Sequence, residues 1–216
     1  MPRIETNTLP VASRRGFLRT ASLAVGTSIF SETRFALAGT PTAGNTALPA
    51  SSALDSKRMR ELAAWTALTM DTPHPVPFGA EIFNTKSGES LMRAANVIVA
   101  ENDPSAHGEI HAIRLACSKL GSYSLIGYTL YTTCEPCPMC MSCSLFAGLD
   151  RVVYGATLAD AARFGNHNIL IAATEVAKHS DISCVVDGPV ERDLCLTLFT
   201  NPKLQDFFKK WNPSKP

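Results

Sequence analysis

Apolar residues recur along the chain with two alternating periods, one helical and one extended, and the switches between them mark the elements. From a cap at Asp55 or Ser56 to Met70, the spacing of Met59, Leu62, Ala63 and Leu68 predicts an amphipathic helix, which Pro73, Pro75 and Pro77 then break. Phe78–Phe83 reads as a strand, Lys86-Ser87-Gly88-Glu89 as a turn and Ser90–Asn96 as the returning strand. A second helix opens at Pro104 and runs to Leu120, where Gly121 ends it; Ile113, Leu115, Ala116 and Leu120 are expected on its buried side. Tyr128–Thr133 is a strand feeding a cysteine-rich helix that extends to Ala147. Asp150–Gly155 and Ile182–Val186 are further strands, and Glu191–Phe199 and Pro202–Trp211 are terminal helices whose Phe207, Phe208 and Trp211 either pack, the favoured reading, or close over a site. A helix, a hairpin and then helices alternating with strands predict an α/β domain whose mixed sheet is covered on both faces.

The first 52 residues stand apart from this pattern. Ser13-Arg14-Arg15-Gly16-Phe17-Leu18-Arg19 resembles a twin-arginine export motif, followed by a mildly apolar run from Thr20 to Phe30 and by Ala36-Leu37-Ala38 as a cleavage site. The expected division is a signal peptide over residues 1–38, a flexible linker over 39–52 and one domain over 53–216, with the mature protein periplasmic or otherwise exported. The apolar run is shorter than the ~20 residues a membrane-spanning helix needs, so no stable membrane association is expected. Cleavage after Ala38 removes five basic and two acidic residues; 15 Lys and Arg then face 17 Asp and Glu, and the formal charge moves from +1 to −2. A binder of nucleic acid advertises a basic patch, and this balance offers none. Seven cysteines in an exported chain raise the question of disulfides; Cys184–Cys195 is the conceivable pair, which sequence alone leaves open.

Two short stretches carry the chemistry, His107-Gly108-Glu109 and Pro136-Cys137-Pro138-Met139-Cys140. Zinc favours three protein donors from His and Cys when a fourth position must stay open for water, and His107, Cys137 and Cys140 supply that set. Positions three apart on a helix sit about 60° from each other, so Cys137 and Cys140 present both sulfurs to one side of a single turn. His107 and Glu109 lie about 200° apart around a helix axis and share no lateral face, so they are expected to meet at the mouth of a helix. His111 follows His107 by one turn, but the cysteine pair already completes the set. The run Cys134, Cys137, Cys140 and Cys143 also resembles half of a ferredoxin iron–sulfur sequence, a rival that would make the protein an exported electron carrier.

H-x-E followed by P-C-x-x-C resembles the signature of the zinc-dependent cytidine and deoxycytidylate deaminase superfamily. The flanks Asp103-Pro104-Ser105-Ala106-His107 and Thr133-Cys134-Glu135-Pro136-Cys137-Pro138-Met139-Cys140 look like its guanine deaminase branch. The resemblance implies a cytidine deaminase-like three-layer α/β/α fold with a five-stranded mixed sheet, a homodimer, and one Zn2+ per subunit held by His107, Cys137 and Cys140. It also implies Glu109 as the acid and base of hydrolytic deamination of a nucleobase or nucleoside, guanine first and another cytosine- or adenine-type substrate as the alternative. Asn96, Phe78 in Pro77-Phe78-Gly79-Ala80, and Asp160 in Asp160-Ala161-Ala162 match family positions that touch substrate. Each has an ordinary reading beside it: a loop turn for Asn96, core packing for Phe78 and a helix cap for Asp160. Asn166-His167-Asn168 departs from the acidic residues expected there and weakens the case for guanine itself. A zinc-binding domain that retains the metal but no catalysis is a third class, for which Glu109 would be superfluous.

Overall fold

β3 (Tyr128–Cys134) and β4 (Arg151–Ala156) run parallel at the centre of the molecule and are buried along nearly their whole length, as strands covered on both faces must be. In this computed structural model, residues 52–165 and 169–211 are described, the last four of these by backbone alone. β1 (Gly79–Asn84) flanks β3 antiparallel, β2 (Ser90–Ala95) returns antiparallel along β1, and β5 (Val185–Asp187) adds parallel to β4. The resulting five-stranded mixed sheet has the order β2-β1-β3-β4-β5. Helices cover both faces, giving the three-layer α/β/α arrangement that the resemblance implies.

The period-two alternation of the strands divides the core. Tyr131 and Val153 face α1 (Ala53–Ala67), α7 (Arg192–Phe199) and α8 (Pro202–Trp211), meeting Met59, Leu62, Leu198, Phe199 and Leu204. Their neighbours Leu130 and Val152 face α3 (Gly108–Leu120), α4 (Pro138–Phe146) and α6 (Ala173–Lys178), meeting Ala112, Ile113, Met141 and Leu145. Two short helices, α2 (Ile98–Glu101) and α5 (Leu158–Arg163), fill the connections after β2 and β4.

α1 begins one turn earlier than the sequence pattern suggests. Ser52 is its cap and Asp55 its third residue, each side chain bonding the other's backbone N–H. Ser52 therefore belongs to the domain rather than to a linker. The Asp55 carboxylate also accepts two bonds from the Arg151 guanidinium, at 2.8 and 3.0 Å, and one from the Tyr131 hydroxyl at 2.5 Å. Leu68, assigned to the apolar stripe, is exposed because the helix tightens there into a 3-10 turn, Leu68–Asp71, and the period changes under it. α3 starts at Gly108 rather than Pro104. Leu115 and Leu120 lie partly exposed: Leu115 is about 200° around the axis from Ile113, and Leu120 sits in the final turn. The segment expected to be a signal peptide, residues 39–51 of the expected linker, Asn166-His167-Asn168 and the side chains of Phe208 and Trp211 lie outside the described residues.

Candidate active site

Both donor stretches are built on the same plan. His107 caps α3 with extended backbone (φ −64°, ψ 155°), and Cys137 caps α4 likewise (φ −64°, ψ 167°). An extended cap residue aims its side chain past the start of its helix, and Pro138 at the first position presets φ for the turn that brings Cys140 round beside Cys137. The chain reaches His107 through a braced turn: the Asp103 carboxylate accepts the Ser105 hydroxyl at 2.6 Å and N–H at 2.8 Å, and Arg114 of α3 donates to its other oxygen at 2.9 Å. These bonds, those from Ser105 foremost, hold the Asp103 carboxyl down at about 2.

Gly108 is a part of the site that the sequence pattern treated only as a spacer. A Cβ there would stand 2.8 Å from the Phe78 carbonyl oxygen, which also accepts the Asn96 N–H at 3.0 Å. Only a residue without a side chain lets the start of α3 press against the entry to β1 and the end of β2. The signal was available in principle, since glycine inside a first helical turn costs helix propensity and so marks a close approach.

His107 Nδ1 lies 3.4 Å from Cys140 Sγ and 3.7 Å from Cys137 Sγ, and the two sulfurs are 3.7 Å apart. A tetrahedral zinc with bonds of about 2.3 Å to sulfur and 2.0–2.1 Å to nitrogen spans edges of about 3.8 Å between sulfurs and about 3.6 Å between sulfur and nitrogen. The three donor atoms therefore sit at the separations that zinc demands, and the residues fit the metal. Among the described residues this is the one such group of His, Cys, Asp or Glu donors. Ile110 and Leu158 wall it with apolar surface.

The electrostatics suit a cation. The hydrogen bond with Cys140 pulls the Cys137 thiol down to about 4, against the opposing effect of burial and with His107 assisting, while the same bond and burial push the Cys140 thiol up. Two sulfurs sharing one proton is the arrangement that a divalent ion replaces. Burial depresses the His107 imidazole, but its bond with Cys137 and the charge of Glu109 outweigh this and raise it. Glu109, in the first turn of α3, is only 5 % exposed and reaches Cys140. Its carboxyl is raised by burial, against the pull of the His107 charge. Imidazole, two sulfurs and one carboxyl thus converge from two helix starts.

The other candidates separate. Asn96 sits beside Gly108 and uses its side-chain oxygen to accept the Ile98 N–H at 3.1 Å, while Phe78 meets Phe199 edge-on at 5.5 Å. Asp160 is the third residue of α5, bonded to the Thr157 N–H and, at 2.5 and 2.8 Å, to the Arg192 guanidinium, so that both its oxygens have partners within the protein, as the cap reading expects. His111 binds the Ala95 carbonyl through Nδ1. Cys134 is buried against the Thr157 carbonyl and Cys143 packs on α3 and α4 neighbours, so the four-thiolate convergence an iron–sulfur cluster needs is unsupported. All seven cysteines are free, Cys184 and Cys195 included.

Residues 53–156 match the cytidine and deoxycytidylate deaminase zinc-binding region. That stretch, a little under half of the chain, is where it resembles this deaminase family. The guanine deaminase of Bacillus subtilis is 46 % identical over 89 residues, 41 % of this chain and 56 % of that protein. A tRNA-specific adenosine deaminase of Agrobacterium fabrum is 41 % identical over 96 residues, 44 % of this chain and 62 % of that protein. The chain thus spans a little over half the length of these curated relatives. A solved guanine deaminase from Nitrosomonas europaea shares the fold at a TM-score of 0.60 and 23 % identity, over 67 % of this chain and 82 % of that one. The deaminase region takes in Phe78, Asn96, Glu109 and all three donors; Asp160 falls just beyond its end.

Proposed function

We propose that this chain is a zinc-dependent hydrolytic deaminase of a free nucleobase or nucleoside, with guanine, converted to xanthine and ammonia, as the first substrate to test. The observation that carries the reading is the buried Glu109 carboxyl beside three donors spaced for a tetrahedral metal. His107, Cys137 and Cys140 hold one zinc per subunit, and zinc so held supplies a water acidified toward neutrality, hence a nucleophile without strong base. Glu109 does the proton work: it takes one proton of the attacking water and delivers it to a ring nitrogen, then takes the second proton from the newly added hydroxyl and passes it to the departing amino group, so that ammonia leaves as the ring carbonyl forms. One carboxyl serves as base and then acid because it is shielded from bulk water and raised toward the working range. Asn96 offers amide N–H donors to the base edge, and Phe78, held on edge by Phe199, forms part of the wall.

The same reading places the protein outside the cytoplasm: the twin-arginine segment directs a folded, zinc-loaded chain to export with cleavage after Ala38. There a small-molecule substrate replaces nucleic acid, in keeping with the formal charge of −2 after cleavage, and the working unit is a homodimer. Ammonia release from guanine, adenine, cytosine and their nucleosides, alongside a transfer RNA, tests the substrate class directly. Release from at least one free base or nucleoside, with one zinc per subunit by metal analysis, is expected. Activity confined to the transfer RNA, or none on any of these, overturns the reading.

A further inference from the structure

Two residues before Cys137, a second buried carboxylate is left unused by the chemistry above. Glu135 is 8 % exposed, and its two oxygens part company: one accepts the Leu158 N–H at 3.1 Å, the other the Ala173 N–H at 2.9 Å. Leu158 and Ala173 are the first residues of α5 and α6. The opening amides of a helix have no partner within it, so each would otherwise be a buried orphan donor. Next along the chain, Cys134 points its sulfur at the Thr157 carbonyl, 3.9 Å away, and the Glu135 N–H bonds the Ala156 carbonyl at 2.7 Å. The end of β3 therefore grips the start of α5 from three sides.

What α5 contributes is on the other side of that grip. Leu158 packs with Ile110 directly on Cys137 and Cys140. Ala173, wholly buried, seats α6 in the apolar cluster that includes Met141 and Leu145 of α4. One carboxylate thus ties the cysteine loop to the starts of both helices that follow β4, while α4 holds its own two sulfurs through its first turn.

We infer that Glu135 is a positioning residue for the proposed deaminase site: it fixes the Leu158 wall and the starts of α5 and α6 against the metal loop, and so shapes the space a base occupies without touching base or metal. The inference rests on the deaminase reading for its kinetic consequence only. Glu135→Gln presents one acceptor oxygen and turns an N–H2 toward a backbone N–H, so one helix start loses its partner. In the zinc-loaded full chain we expect Glu135→Gln to keep one zinc per subunit and an unfolding temperature close to the parent. Amide exchange at Leu158 or Ala173 should quicken at least tenfold, and KM should rise about tenfold with kcat changing less than threefold. Glu135→Asp, which keeps two acceptors on a shorter arm, should fall between the two. Loss of zinc, or a general loss of stability with KM unchanged, makes Glu135 merely structural and overturns the inference, as does parent-like exchange at both amides. If the unsubstituted chain deaminates nothing, the deaminase reading fails while exchange and zinc content still decide the role of Glu135.

Discussion

Gly108 stands against Phe78 so closely that a single added carbon would lie 2.8 Å from its carbonyl oxygen. That carbonyl is fixed by the Asn96 N–H at 3.0 Å and cannot retreat alone, so strand and helix would have to separate. Gly108→Ala should therefore displace His107 and Glu109 together. We expect weaker zinc binding and a fall in kcat/KM of about 100-fold, the scale of a misplacement near 1 Å in an active site. Zinc titration with steady-state kinetics checks it; parent values for both would mean that the entry to β1 yields freely.

Glu109→Gln keeps the shape of the side chain and removes its ability to carry a proton. Zinc content and fold should persist while turnover falls by about 10²–10⁴-fold, the usual worth of a positioned acid and base. Metal analysis beside a rate assay reads both quantities, and near-normal turnover would remove Glu109 from the chemistry.

Cys137→Ala deletes the sulfur whose proton is most readily lost, at about 4. The variant should fail to hold stoichiometric zinc after dialysis and should lose activity with the metal. Retention of one zinc per chain would show that the donor set is assigned wrongly.

Acid should unfasten α1 and α5. Burial works against the Asp55 carboxylate, yet Arg151 and Tyr131 hold it well below the usual range; Arg192 holds Asp160 at about 2. Folded values below the unfolded ~3.9 mean that each group contributes stability above that pH, lost as pH falls through the folded value. Asp55→Asn should cost about 3–5 kcal/mol near neutrality by leaving Arg151 with half its partners. It should also flatten the fall of unfolding temperature between about pH 5 and 2. An unchanged slope would mean that the Arg151 pair does not govern acid stability.

The donor set was legible because metal chemistry restricts it to few residue types at short spacings, and the central strands were legible because β3 (YTLYTTC) and β4 (RVVYGA) are rich in β-branched and aromatic residues. The parts that escaped depend on long-range partners. Asp55 reads as a simple cap until Arg151, 96 residues away, turns it into an ion pair. Asp160 reads from sequence as a substrate contact or a cap, and its pairing with Arg192, 32 residues away, is invisible to either reading. α2 and α6, four and six residues long, are too short to leave a periodic trace, and Leu115 carried the right hydropathy at the wrong angle.

His107 and Cys137 are both helix caps, and this has a bearing on how the protein tolerates change. The reactive group is assembled from two leading edges, whereas the trailing ends of α3 and α4, Leu120 and Phe146, sit partly or largely exposed, in α3 about 20 Å downstream at 1.5 Å per residue. Insertions, tags or crosslinks placed just after Gly121, where the chain is exposed, would lengthen the tail of α3 without disturbing its head. That loop is the natural point at which to attach a reporter without reaching the donor set.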